Sequence, residues 1–133
     1  MEIKINQSGL SALTRKLSNF PRNFEKAHDD LLDETGLDLV KTTKEHASGR
    51  PGPNIVTGQY ASAFYTVRHK WSVEIRNDSP QSKRLEHGYY GTDSLGRVYH
   101  QPPFPHIAPA RAEVMVRYRE NLRELPGKVW RET

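Results

Sequence analysis

Apolar positions along the chain change period several times, and each change marks an element. Residues 2–6 alternate, with Ile3 and Ile5 on one side, and read as a short strand or extended arm ended by Gln7-Ser8-Gly9. Leu10, Leu13, Leu17 and Phe20 then recur at helical spacing, which predicts a short first helix over about 10–20, with Ser8 and Ser11 as candidate caps. Pro21 breaks or kinks the chain and suits the first turn of a second helix. That helix is expected from about Arg22 to Ala47, burying Phe24, Ala27, Leu31, Thr35, Leu39 and Thr43, with Leu32 and Val40 widening the stripe. Gly36 is its weak point, at a cost of about 1 kcal/mol relative to alanine.

Ser48-Gly49-Arg50-Pro51-Gly52-Pro53-Asn54 interrupts the helical pattern. Beyond it, Thr57 is placed to cap a single helical turn that carries Tyr60, Ala61 and Phe64 inward. Period-two alternation over 64–68 and 71–76, separated by His69 and Lys70, predicts a β-hairpin. Asn77 to Pro80 form the next turn, and Lys83 to His87 read as a third strand or a helical turn leading into Gly88. Tyr89-Tyr90 and Arg97-Val98-Tyr99 flank Gly91 to Gly96, a protruding second hairpin or loop. Four prolines between Pro102 and Pro109 then bring an extended segment to the start of a terminal helix, with Pro109 in its first turn. Ala110, Val114, Tyr118, Leu122 and Leu125 mark that helix's apolar stripe. Pro126-Gly127 is expected to stop it and to leave 126–133, with Trp130, as a mobile tail.

These elements describe an α+β fold in a single domain over 1–133. A short helix, a long helix and a C-terminal helix pack on a small antiparallel sheet, with a loop or hairpin protruding around 88–101. The size suits one domain with a modest core. Only 35% of residues are hydrophobic against 27% charged, so part of the apolar surface is expected to be covered by neighbouring subunits. No run reaches the roughly 18 apolar residues of a membrane span, and Met1 to Ile5 do not resemble a signal peptide. The absence of cysteine excludes disulfides and thiolate metal sites, and fits synthesis in a cytoplasm.

The net charge of +4 is uneven. Residues 1–48 hold 7 Lys/Arg against 8 Asp/Glu, a net −1, whereas 49–133 hold 13 against 8, a net +5. This mild bias suits an acidic partner or nucleic acid, and equally ordinary solvated charge. Arg111, Arg117, Arg119 and Arg123 on the last helix carry the nucleic-acid reading. Glu113, Glu120 and Glu124 are interspersed among them, however, and Glu113–Arg117 forms an i,i+4 pair. A mixed-charge face more often meets solvent or protein than DNA.

Catalytic chemistry has little support. The six histidines show no i,i+4 pair, so a metal-dependent hydrolase would need His87, His100 and His106, with Glu86, to meet through folding of the 88–105 segment. No nucleophile elbow or phosphate-cradling glycine loop is present. Glu74 is expected to face solvent, opposite Val73 and Ile75. No catalytic, cofactor-binding or metal-ligating residue is assigned, and no cofactor is expected. Aromatics are favoured anchors at interfaces, so Tyr89, Tyr90, Leu95, Arg97, Tyr99, Phe104 and Trp130 are the candidate subunit or partner contacts. Pinning the loop to its own domain is an equal reading for one or two of the aromatics.

Taken in order, several motifs resemble one family. An extended start (Ile3-Lys4-Ile5), a leucine helix (Leu10 to Leu17), Pro21 and a long helix from Phe24 come first. A segment with Pro53, Thr57 and Gly58 follows, with Tyr60 in the apolar place. Glu86-His87-Gly88 comes after the strand pair, and Pro105, Pro109 and Ala110 lie in the approach to the last helix. The order is similar to that of the tail-completion or head–tail joining (neck, minor tail) proteins of long-tailed bacteriophages. A longer segment between Gly88 and Pro102 is a departure. The resemblance implies a non-enzymatic structural protein of the virion, made in the host cytoplasm. It implies a homo-oligomeric ring at the top of the tail, between the tail tube or tail terminator and the head connector, with DNA passing through and touching it transiently without sequence specificity.

Overall fold

A single helix, α1, runs over Gln7–His46 for 40 residues and is the axis on which the other elements are mounted. In this computed structural model the described residues are 7–55 and 58–133; the arm at 2–6 and Thr57 lie outside them. Pro21 neither ends nor divides α1, contrary to the expectation of two helices. A proline removes one donor and crowds the carbonyl four residues back, but Pro21 is exposed, so solvent can serve the freed carbonyl. Aromatic contacts also bridge the position, because Phe20 lies 5.8 Å from Phe24 across it. Ser8 and Ser11 fall inside the helix instead of capping it, and Thr14 and Ser18 donate to the carbonyls of Leu10 and Thr14.

After α1 the chain makes one helical turn, α2 (Gln59–Ser62), then strands β1 (Tyr65–Arg68) and β2 (Val73–Arg76). A second short helix, α3 (Ser82–His87), resolves the choice between strand and helical turn in favour of the turn. Strands β3 (Tyr89–Thr92) and β4 (Val98–Gln101) and the helix α4 (Ile107–Glu132) complete the α+β fold. The strands form two separate antiparallel hairpins, β1–β2 and β3–β4. The first has register Tyr65↔Arg76 to Arg68↔Val73, and the second Tyr89↔Gln101 to Thr92↔Val98.

Helices α1 and α4 lie antiparallel. Their contacts run from His46 Nε2 with Glu113 (2.8 Å), through Asp38 with Arg117, to Asn23 with Thr133 at the far end. Leu31, Leu32, Leu39, Ala110, Val114 and Val129 fill the seam, each large side chain contributing about 1.5–3 kcal/mol on burial. The Arg117 guanidinium, donating to Asp38 and to the Thr42 hydroxyl, holds the Asp38 carboxyl below its ordinary range against the opposing effect of burial.

Gly36 has a packing reason to be glycine. A Cβ there would come within 3.2 Å of Val73 Cγ2 and 3.5 Å of Thr66 Oγ1, so it is where β1–β2 rests on α1. Arg68 fixes the same hairpin by donating to Asp29 (2.9 Å) and Asp33 (3.1 Å).

The C-terminal residues correct the sequence expectation. Helix α4 continues through Pro126 and Gly127 to Glu132; it does not end in a mobile tail. Both residues face solvent, and the following turn is secured by burial. Val129 is buried, Trp130 packs edge-on against Phe20 at 5.7 Å, and Lys16 lies 4.7 Å over the indole. Tertiary packing thus outweighs two poor helix formers. Trp130→Ala is expected to lower the unfolding free energy by about 2 kcal/mol, measured by chemical denaturation; a tryptophan in a mobile tail would leave it unchanged.

Candidate assembly surface

The start of α4 is held by a carboxylate from elsewhere in the chain. Glu86, buried on α3, accepts hydrogen bonds from three successive backbone N–H groups: His106 (2.8 Å), Ile107 (3.0 Å) and Ala108 (2.9 Å). A helix leaves its first N–H groups unsatisfied and carries partial positive charge there, and Glu86 answers both. Burial opposes its ionisation, yet the three N–H donors and His106 outweigh that and hold the carboxyl below the ordinary carboxylate range.

His106 extends the network. Its Nδ1 lies 2.9 Å from the Phe104 carbonyl, which can only accept, so Nδ1 carries the proton. The same atom is 3.1 Å from Glu86, and Nε2 pairs with the Tyr60 hydroxyl at 2.5 Å. Burial, with the Glu86 charge adding to it, pushes the Tyr60 phenol up and keeps it protonated. Phe64 and Tyr60 pack edge-on to the imidazole. With 0% of its surface exposed, His106 is out of reach of a substrate, and its polar atoms are all engaged. This cluster is therefore suited to holding structure.

Gly88 transmits the fixed position to β3–β4. Its φ is +82°, and a Cβ would lie 2.9 Å from the Gln101 carbonyl oxygen and 3.1 Å from Pro103 N, so both conformation and space demand glycine. Phe104 N–H donates to the Leu85 carbonyl and Gln101 to that of Arg84. The guanidinium of Arg84 lies 4.2 Å over Tyr89, and that of Arg50 lies 3.8 Å over Phe104. These contacts pin the base of the hairpin to the body of the domain.

The distal part is exposed. Opposed pairs put Tyr90, His100, Thr92 and Val98 on one face, where Tyr90 is 74% and Val98 62% exposed, and the tip carries Leu95 at 76%. The tip is nevertheless well ordered by its own bonds. Asp93 Oδ1 accepts from Leu95 and Arg97 N–H, its other oxygen accepts from the Arg97 side chain and the Tyr99 hydroxyl, and Gly96 takes φ +79°. Although desolvation opposes the charge, these donors hold the Asp93 carboxyl below its ordinary range. Three large apolar side chains thus stand exposed on a protrusion ordered by its own hydrogen bonds.

The sequence-derived candidates therefore divide. Tyr90, Leu95 and Tyr99 are exposed, and Arg97 is exposed while paired with Asp93. Tyr89, Phe104 and Trp130 are each engaged within the chain. Of the motif residues, Tyr60, Glu86 and Gly88 meet in or beside the Glu86 network. Pro53 is buried, Ala110 is fully buried in the seam, and Pro105 and Pro109 flank the α4 start. Gly58, with φ +76°, precedes α2. Among the described residues no three metal-ligating side chains converge: His100 packs edge-on against Tyr90 at the hairpin, and His106 faces inward. Of the five α4 arginines, Arg117 is committed to Asp38 and Glu113. Among the described residues no helix is long and apolar enough to cross a membrane. The sequence brings Glu86 and His106 together only in the metal-site alternative; they do meet, 3.1 Å apart, but without His87 or His100, and the capping of α4 by Glu86 leaves no signal in local spacing.

Comparison with family models, with curated proteins and with solved structures finds no match.

Glu86→Gln is expected to cost about 1–3 kcal/mol, because an amide N–H₂ is set against backbone donors. A carboxyl with a lowered folded pKa stabilises above its unfolded value and loses that contribution as pH falls through the folded one. Wild-type stability should thus decline as pH drops below about 4.5, and the Glu86→Gln variant should decline less steeply, in denaturant titrations across that range. Gly88→Ala should cost about 1–3 kcal/mol from backbone strain alone, seen as a lowered denaturation midpoint.

Proposed function

We propose that this chain is a non-catalytic structural subunit of a bacteriophage virion, of the tail-completion or head–tail joining type. In this reading it forms a homo-oligomeric ring at the top of the tail. The ring bridges the tail tube or tail terminator and the head connector, and DNA passes through its centre with only transient, non-specific contact. The observation that carries the reading is the Glu86–His106–Tyr60 network. Motif residues far apart in the chain serve a single purpose there: one fixes the start of α4, and Gly88 beside it sets the direction of an exposed, apolar hairpin. A rigid domain with a projecting contact element is what a ring subunit needs, since head-to-tail contacts close only if their geometry is well defined. The inward-facing histidine and the committed Arg117 favour this over a hydrolase or a dedicated DNA-binding module.

Electron microscopy is the direct test. Closed rings, alone or at the tail–capsid joint, support the reading, and a chain that joins no particle and forms no ring overturns it. Combined Tyr90→Ser, Leu95→Ser and Val98→Ser changes are expected to alter folding stability by no more than about 0.5 kcal/mol per site, as for surface positions generally. They should nevertheless abolish joining of heads to tails in an in vitro assembly assay.

A further inference from the structure

Helix α1 is longer than its intramolecular partner. Its last contacts with α4 are Asn23 with Thr133 and, on Trp130, Phe20 and Lys16. Residues 7–15 continue for about 14 Å beyond that point at 1.5 Å per residue. Leu10, Leu13 and Leu17 extend the seam stripe into this projection, and are 53%, 46% and 57% exposed. Three leucines at heptad-like spacing on one face of a helix are an unfilled packing surface.

Charge identifies what fills it. Residues 7–24 contain Arg15, Lys16 and Arg22 and no carboxylate. Two such projections packed on each other would bring like charges together. Beside the projection, between α1 and the C-terminal part of α4, lies the complement, a groove whose lining includes Ala27, Leu31, Leu125 and Val129. Asp30, Glu34, Glu124 and Glu132 also line it, with Lys128 as its one cation. The docking segment 7–20 thus brings the two cations Arg15 and Lys16 to a net −3. Among the described residues none of those four carboxylates is in an ion pair, whereas Asp29, Asp33 and Asp38 on the same helix are paired with arginines. The groove follows α4 from Asn121 to Glu132, about 16 Å of helix, a length close to that of the projection.

We infer that residues 7–20 of one copy dock, leucine face down, in the α1–α4 groove of a second copy. The contact is heterologous: the projection and the groove are two different surfaces of each chain, so it propagates around a ring. The inference deepens the proposed assembly and rests on it.

The chain has no cysteine, so introduced pairs report proximity cleanly. Within one chain Leu13 stands about 21 Å along α1 from Ala27 on the groove floor, too far for an internal disulfide to Leu125. Full-length chains carrying Leu13→Cys and Leu125→Cys on separate copies should form a mixed disulfide under mild oxidation, and the double variant a ladder. Arg15→Glu with Lys16→Glu should weaken self-association about tenfold or more, and Asp30→Lys with Glu34→Lys on the partner copy should restore it. Raising salt should weaken the wild-type contact. Preferential crosslinking of Leu13→Cys to itself, or to Met115→Cys in the apolar groove beside β2, overturns the docking. So does assembly indifferent to both charge reversals. In those cases the ring reading survives. A chain that stays monomeric, without crosslinks at high concentration, defeats both.

Discussion

The hydrogen bonds from His106, Ile107 and Ala108 to one buried carboxylate are the constraint on which the remaining architecture depends. They join α3 to the N-terminus of α4 and, through His106, to Tyr60 near α2. A buried charge is costly unless its hydrogen-bonding capacity is met. Here the helix terminus meets it, and the carboxylate in turn satisfies donors that a proline-rich approach leaves without internal partners. The proline segment can then stay extended up to residue 105 while the helix begins sharply at Ile107.

Everything distal follows from that fixed point. Because Glu86 and Gly88 are two residues apart, holding one sets the direction in which the chain leaves the other, and β3–β4 inherits it. The contacts of Arg84, Gln101 and Phe104 at the base prevent the hairpin from pivoting, while the Asp93 turn stiffens its tip. Tyr90, Val98 and Leu95 are thus offered to solvent on a scaffold with little freedom, which lowers the entropic cost of binding a partner. At the opposite end, the length mismatch between α1 and α4 leaves the leucines of the projection uncovered. The two exposed apolar regions have different causes, one from a hairpin that no described element covers and one from a helix that outruns its neighbour.

Periodicity makes much of this legible. The seam stripes of α1 and α4, the β1–β2 hairpin and the extent of the second hairpin all follow from spacing, since a helical or alternating pattern places its apolar face whatever packs against it. Glu86, Gly88 and Tyr60 stand out as motif positions, but their spacing carries no mechanism. Local preference misleads at three places for one reason. It reads Pro21 as a break, Pro126-Gly127 as a stop and Gly36 only as a weak point, because propensity is a local quantity worth at most a few kcal/mol.

The sequence by itself determined the α+β class, the faces of the long helices and the protruding aromatic hairpin, since these rest on the order of neighbouring side chains. Only the tertiary structure decided that Phe20 and Trp130 hold helices on through their prolines and that Gly36 is the seat of a hairpin. The same is true of Glu86, which caps a helix twenty residues away. Those outcomes depend on contacts between segments distant in the chain, whose burial and hydrogen bonding outweigh local preference and leave no periodic trace in the sequence.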